Sequence, residues 1–167
     1  RGEYAYGIAS DGTGNAYVVG FTDGIFAGQF SSGSRDAFIR KYDSSGNVIW
    51  TRQFGTSSDD IAFGAVVDGM GNVYVVGFTD GAFPGQVSSG NRDAFIRKFD
   101  ASGNNLWTRQ FGSSGYAYAH GVAADGAGNA YVVGYTLEYL AGQVSSGMTD
   151  AFIRKYDGSG NILWTRQ

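Results

Sequence analysis

The chain has 167 residues, 28 of them glycine and none cysteine, and 12 Lys and Arg against 15 Asp and Glu leave a formal charge of -3. Without cysteine there are no disulfides, thiolate metal sites or cysteine nucleophile, and a slightly acidic chain with no basic stripe is not expected to bind nucleic acid. No apolar run approaches the roughly 20 residues of a membrane-spanning helix, so membrane insertion is not expected, and the length suits one domain with a substantial core.

The first predicted element is a hairpin. "YGIASD" at 6–11 leads through "GTGN" into "AYVVGFT" at 16–22, with Gly12, Gly14 and Asn15 as the expected positive-φ positions. A Gly/Ser-rich segment, "DGIFAGQFSSGSR" at 23–35, precedes a second hairpin made of "DAFIRKYD" (36–43), the turn "SSGN" (44–47) and "VIWTRQF" (48–54). The pattern then restarts. "NAYVVGFT" at 15–22 returns as "NVYVVGFT" at 72–79 and "NAYVVGYT" at 129–136, and Tyr17, Tyr74 and Tyr131 lie 57 residues apart, as do Asp36, Asp93 and Asp150 and Trp50, Trp107 and Trp164. That period is too long for a solenoid unit and slightly exceeds a four-stranded propeller blade.

The fold class that follows is all-β, with one four-stranded antiparallel blade per repeat, in a single domain with blades at approximately 1–57, 58–114 and 115–167. In "DAFIRKYD", Phe38, Arg40 and Tyr42 point one way and Ala37, Ile39 and Lys41 the other, so both faces of each sheet carry apolar groups. Sheets of that kind stack between neighbours, as blades do around an axis. The first strand of each repeat carries small residues (Gly7, Ala9, Gly64, Gly121, Ala123), as crowding near an axis requires, and the fourth carries Trp50 with Phe54, as a wider rim permits.

Three pieces recur together: the D-G-x-G-N-x-Y-V-V-G hairpin (11–20, 68–77, 125–134), the D-A-F-I-R-K strand, and the D-x-S-G-N turn leading to Trp. In this combination the whole chain resembles the SBBP-type β-propeller repeat of bacterial and archaeal surface or secreted proteins. The resemblance implies a propeller and an extracellular or cell-surface setting, and it carries across no catalytic residues.

Propellers typically have four to eight blades. Three are expected to be completed by a second chain, giving a six-bladed homodimer with twofold symmetry, or by further blades of a longer chain. The start at Arg1, with neither Met nor an apolar leader, reads as a processed end, a fragment or the ordered part of something longer.

Residues repeated in every blade are explained by what every blade must do, so positions that differ are the better functional candidates. Asp11, Asp68 and Asp125 are expected to cap their own turns, Arg40, Arg97 and Arg154 to pair with carboxylates such as Asp36 or Asp43, and Trp50, Trp107 and Trp164 to pack rather than stack on sugars. Gln29, Gln86 and Gln143, in the loop between the second and third strands, are the candidate glycan contacts. His120, the only histidine, aligns with Tyr6 and Phe63; with Tyr4, Ile61 and Tyr118 these are expected to ring one mouth of the central channel, a candidate ligand site. In the third repeat "LEYL" (137–140) replaces "DGIF" and "DGAF", and Thr149 replaces Arg35 and Arg92. No catalytic residue, metal or cofactor is expected, because the unrepeated Glu3, Asp59, Asp60, His120 and Glu138 form no motif. The expected function is a non-catalytic scaffold or protein-interaction module of a secreted or surface protein, with a glycan or protein as ligand; the alternative is a carbohydrate-binding propeller with one site per blade.

Overall fold

The computed structural model describes residues 2–167; Arg1, where the first predicted blade begins, lies outside the described residues. Three four-stranded antiparallel sheets follow one another along the chain. Sheet 1 holds β1 (Glu3–Ser10), β2 (Ala16–Thr22), β3 (Asp36–Tyr42) and β4 (Val48–Phe54). Sheet 2 holds β5 (Asp60–Val67), β6 (Val73–Thr79), β7 (Asp93–Phe99) and β8 (Asn105–Phe111). Sheet 3 holds β9 (Ala117–Ala124), β10 (Ala130–Thr136), β11 (Asp150–Tyr156) and β12 (Ile162–Arg166). Each sheet keeps sequential strand order, so every connection is between neighbours. β1 starts three residues earlier than the sequence predicts, because pairing with β2 continues to Glu3 opposite Thr22.

The tight turns are built by an aspartate. Asp43 Oδ1 accepts the backbone N–H of Ser45 (2.9 Å) and Asn47 (2.8 Å), and its Oδ2 accepts the Asn47 amide at 2.9 Å. Asp11, Asp68 and Asp125 do the same in the other hairpins, Asp68 taking the N–H groups of Met70 and Asn72 at 2.9 Å each. These bonds favour the ionised form, and they hold the Asp125 carboxyl down at about 2, the side-chain bond from Asn129 contributing most. Among the described residues glycine alone supplies the positive φ: Asn15, expected there, is not among the positive-φ residues and instead donates its side-chain amide to Asp11 at 2.7 Å.

The sheets pack face to face in chain order and are closest at their first strands. Tyr17, Val19, Ala37 and Ile39 of sheet 1 are buried against Ala62, Val73, Val75, Phe95 and Phe99 of sheet 2. The same positions one repeat on, Tyr74, Val76, Ala94 and Ile96, are buried against Ala119, Ala130, Val132, Phe152 and Tyr156 of sheet 3. Glycine permits the approach of the first strands: a Cβ on Gly7 would lie 2.5 Å from the Phe63 carbonyl oxygen. At the outer edge a clasp closes each junction. Trp50 donates Nε1–H to the Ala101 carbonyl (3.1 Å) and Arg52 donates Nε–H to Gly103 (2.7 Å), so sheet 1 grips the β7–β8 turn of sheet 2. Trp107 and Arg109 repeat the grip on Gly158 and Gly160 at 3.1 and 2.8 Å.

The structure corrects the expected partners of the strand arginines. Arg40, Arg97 and Arg154 pair with no carboxylate; Arg40 and Arg154 donate Nε–H to Thr51 and Thr165 (2.9 and 2.8 Å), and Arg97 to Asn105 (3.0 Å). Their guanidinium groups lie over Phe26, Phe54 and Phe111 at 4.1, 4.6 and 4.2 Å from the ring centres, a packing that needs no counter-ion because the ring face is negative. Burial lowers the Arg97 guanidinium to about 10, against the favourable charge of Asp60. Asp36 instead accepts the Gln53 side-chain amide at 2.8 Å and Asp43 caps its own turn, while the strand lysines pair with the turn aspartates of the first hairpins, Lys98 with the buried Asp68 at 3.8 Å.

Asp60 is fully buried at the start of β5, its Oδ2 accepting the N–H (2.6 Å) and hydroxyl (3.1 Å) of Thr56. Burial pushes its carboxyl up from 3.8 to about 6 against the hydrogen bonds from Thr79 and Thr56, and the Asp36 charge adds to the rise. A native-state pKa above the unfolded one means that this stability is complete below about pH 4 and is lost as the pH rises through about 6, a difference of about 3 kcal/mol. Asp60→Asn is therefore expected to melt above the parent at pH 8, with the two melting temperatures converging near pH 4, as measured by calorimetry across that range. Gly77→Ala tests the packing: its Cβ would lie 1.9 Å from the Ile61 carbonyl oxygen, a backbone atom, and the variant is expected to lose about 3 kcal/mol or more in urea titration.

Candidate functional site

The close approach at Gly77 has a structural cause that also builds the candidate site. In all three sheets the pairing of the first two strands slips by one residue. Ala5 faces Gly20 and Gly7 faces Val19, leaving Tyr6 without a partner across the ladder. Phe63 is skipped between Ala62 and Gly64, and His120 between Ala119 and Gly121. Each is the extra residue of a β-bulge, a device that bends a strand and re-aims one side chain. The bulge drives a carbonyl of the first strand towards the second, so that a Cβ at Gly20, Gly77 or Gly134 would sit 1.8, 1.9 or 1.8 Å from it; only glycine fits.

The bulged residues meet across the sheet boundaries. The ring centres of Tyr6 and Phe63 are 5.6 Å apart, and Phe63 stacks on His120 at 4.7 Å and 19°. The first two strands extend the row with Tyr4 stacked on Phe21 (4.7 Å), Phe63 against Phe78 (5.7 Å), Phe78 against Tyr118 (5.4 Å) and Tyr118 against Tyr135 (4.8 Å). An aromatic row thus crosses all three sheets at their first strands. Tyr4 and Tyr6 are 51% and 54% exposed at one end, while Phe21, Ile61 and Phe78 form its buried floor.

Charge is confined to the rim. Arg92 lies 3.8 Å above Phe78, donates to Asp80 Oδ2 (2.7 Å) and to the Tyr118 hydroxyl (3.0 Å), and the Asp80 carboxylate raises its pKa further. Arg35 pairs with Asp59 at 3.2 Å and lies over Phe21. In sheet 3 the Arg–Asp pair has no counterpart, since Thr149 and Leu137 stand at those positions. The row there ends on His120 and Tyr135, beside an open groove of about 690 Å³ lined also by Val133, Ala151, Ile153 and Arg166. Burial lowers the His120 pKa, and its ring makes ring contacts alone, with no hydrogen bond among the described residues.

The structure therefore brings together Tyr4, Tyr6, Phe63, Tyr118 and His120, and it adds Phe21, Phe78 and Tyr135, which sequence reasoning did not single out, and Arg92, which it noted only for its replacement by Thr149. The register that puts Phe21, Phe78 and Tyr135 opposite Tyr4, Ile61 and Tyr118 arises only beyond the bulge, so counting outward from the turn would have paired Phe21 with Ala5. Gln29, Gln86 and Gln143 lie elsewhere, fastening their loops to the fourth strands. Gln29 Oε1 accepts the Gln53 N–H (3.0 Å) and its amide donates to Gly28 (3.1 Å); Gln86 and Gln143 do likewise with Gln110 and Gln167. The tryptophan Nε1–H groups of Trp50 and Trp107 are spent on the clasp. Among the described residues no three His, Asp or Glu side chains could hold a metal ion.

Comparison with known proteins agrees with this architecture. The chain is 30% identical over 155 residues to "Regulatory protein FlaEY" of Caulobacter vibrioides, covering 86% of this chain and 16% of that one. It is 28% identical over 164 residues to "Uncharacterized WD repeat-containing protein L264" of Acanthamoeba polyphaga mimivirus, covering 80% of this chain and 12% of that one. The chain thus spans about an eighth to a sixth of the length of these relatives. The β-propeller repeat profile SBBP matches residues 49–84 and 106–140, each match running from the fourth strand of one sheet through the first two of the next. The sequence between those strands holds the clasp, the bulge and the glycine opposite it, and with them the chain carries repeats of the SBBP β-propeller family.

Proposed function

We propose that the chain is a non-catalytic β-propeller scaffold and protein-interaction module of a secreted or surface protein, with the bulged aromatic row as its contact surface. The observation that carries the reading is that Tyr6, Phe63 and His120, one residue from each repeat and each of a different type, are the three that a bulge turns into one shared row. Aromatic side chains that combine a rigid apolar body with partial exposure are what protein interfaces use as anchors. The repeated polar groups are engaged in turns, clasps and loop fastenings, and the names of the relatives, a WD repeat-containing protein and a regulatory protein, fit a module that binds other proteins. The exported setting is supported by the Gly/Ser-rich loops and a charge of -3.

A carbohydrate-binding reading is favoured by the half-exposed rings of Tyr4 and Tyr6, which offer flat faces to a sugar. It does not draw on the tryptophans or on Gln29, Gln86 and Gln143, whose amides are already bonded.

Peptide and glycan arrays probed with the full chain and with Tyr6→Ala, His120→Ala and Gln86→Ala separate these readings. Peptide binding weakened about tenfold by Tyr6→Ala and untouched by Gln86→Ala is the expected result. Glycan binding that survives Tyr6→Ala but disappears in Gln86→Ala would move the site to the loops and overturn the assignment. Tyr6 is 54% exposed, so Tyr6→Ala should melt within a few degrees of the parent and any loss of binding is not a loss of fold.

A further inference from the structure

The two buried junctions share one template, and the outer faces of sheets 1 and 3 are its two unused halves. Val19 and Val76 are wholly buried by the following sheet, whereas Val133, their counterpart in sheet 3, is 44% exposed. Ala37 and Ala94 are likewise buried and Ala151 is exposed. On the opposite face, Ala65 and Val122 pack against the junction cores while Ile8, at the same position of sheet 1, is 70% exposed.

The clasp shows the same complementarity. The rings of Trp50 and Trp107 cover Gly103 and Gly160, where an added Cβ would lie 2.9 Å from the indole. The third glycine of the set, Gly46 on the turn of sheet 1, has nothing within 4 Å of that position. Among the described residues the third clasp, Trp164 and Arg166, reaches no further turn, and the Arg166 guanidinium bonds only the Thr165 carbonyl, at 2.7 Å.

We propose that two copies of this chain pair head to tail, the Val133–Ala151 face of one covering the Ile8 face of the other, with Trp164 and Arg166 gripping the Gly46 turn. A second copy is the occupant because its sheet 1 repeats the side chains that sheets 2 and 3 set at the filled junctions: Ala5 where they carry Ala62 and Ala119, Val18 where they carry Val75 and Val132, and Phe38, packed on Phe26, where they carry Phe95 and Phe152. The reciprocal contact forms at the same time, and six sheets then close around one axis. The groove of about 690 Å³ beside His120 becomes a junction interior in that ring.

Light scattering on the full chain tests this directly. The expected mass is about twice the 17.7 kDa of one chain. Ala151→Glu and Ile8→Glu, both at exposed positions, should each halve the mass with the far-ultraviolet dichroism unchanged. An equimolar mixture of the two variants retains one native junction and should recover the doubled mass. A parent mass of 17.7 kDa at every concentration overturns the proposal and leaves the faces to further repeats of a longer chain. A doubled mass that persists in Ile8→Glu also overturns it, since the contact would then join two copies of the same face.

Discussion

The structure depends on one constraint: each four-stranded sheet is apolar on both faces, so none is stable until both are covered. Side chains alternate across a strand, and here Ala37 and Ile39 serve one junction while Phe38 and Tyr42 face the other way. The unit of stability is therefore the contact between sheets. Burial at 25 cal/mol per Å² rewards that contact only if backbones come close enough to exclude water, and the first strands do so because Gly7 has no Cβ to hold Phe63 away. The aromatic bulk sits further out, where Phe54 fills the space between Phe83, Phe95 and Phe99.

The candidate site is a by-product of how that crowding is relieved. A first strand pressed against its neighbour cannot turn every side chain into the junction, and the bulge ejects one residue per sheet from the alternation. The ejected residues lie outside the two large junction cores, in the aromatic row and its small cluster with Phe21, Ile61 and Phe78, where the side chain differs as Tyr6, Phe63 and His120 while the glycines opposite, Gly20, Gly77 and Gly134, have no room for a Cβ. On the proposed reading of the row, fold and contact surface are thus separated residue by residue within one strand, which would let a repeat protein keep its architecture and vary what it touches.

Electrostatics is subordinate to this packing. Arg97 and Arg154 lie where two sheets meet and Arg40 lies over Phe26 of its own repeat; none pairs with a carboxylate, and phenylalanine faces with a threonine hydroxyl or asparagine side-chain oxygen satisfy them. Carboxylates are drawn to backbone N–H groups in the turns, and lysine, whose longer stem spans two strands, supplies the positive charge. Sequence reasoning that pairs charges by type selects Arg40 with Asp36, because proximity along a strand is visible in sequence, whereas the ring each arginine meets, Phe26 of the preceding loop for Arg40 and Phe54 of the neighbouring sheet for Arg97, is set by packing. The pairing of Lys98 with Asp68 could have been reached from hairpin register, which sets β6 beside β7 and brings the turn before β6 over the end of β7.

The period of 57, the turn chemistry of Asp-x-x-Gly-Asn and the two-sided alternation are local properties of the chain, and they were sufficient to establish three four-stranded sheets, their boundaries to within a few residues, and the alignment of Tyr6, Phe63 and His120. Local rules cannot show a register slip, since a bulge is decided by how two strands are pressed together by a third. Only the packed structure therefore decided that those three residues leave the ladder, that Phe21, Phe78 and Tyr135 complete their row, and that Trp50 closes on the turn of the next sheet and Gln29 on its own outer strand. Hydrogen-bond geometry within four residues is written in the sequence; contacts some 50 residues apart are written in the junction, where burial rather than propensity chooses the partner.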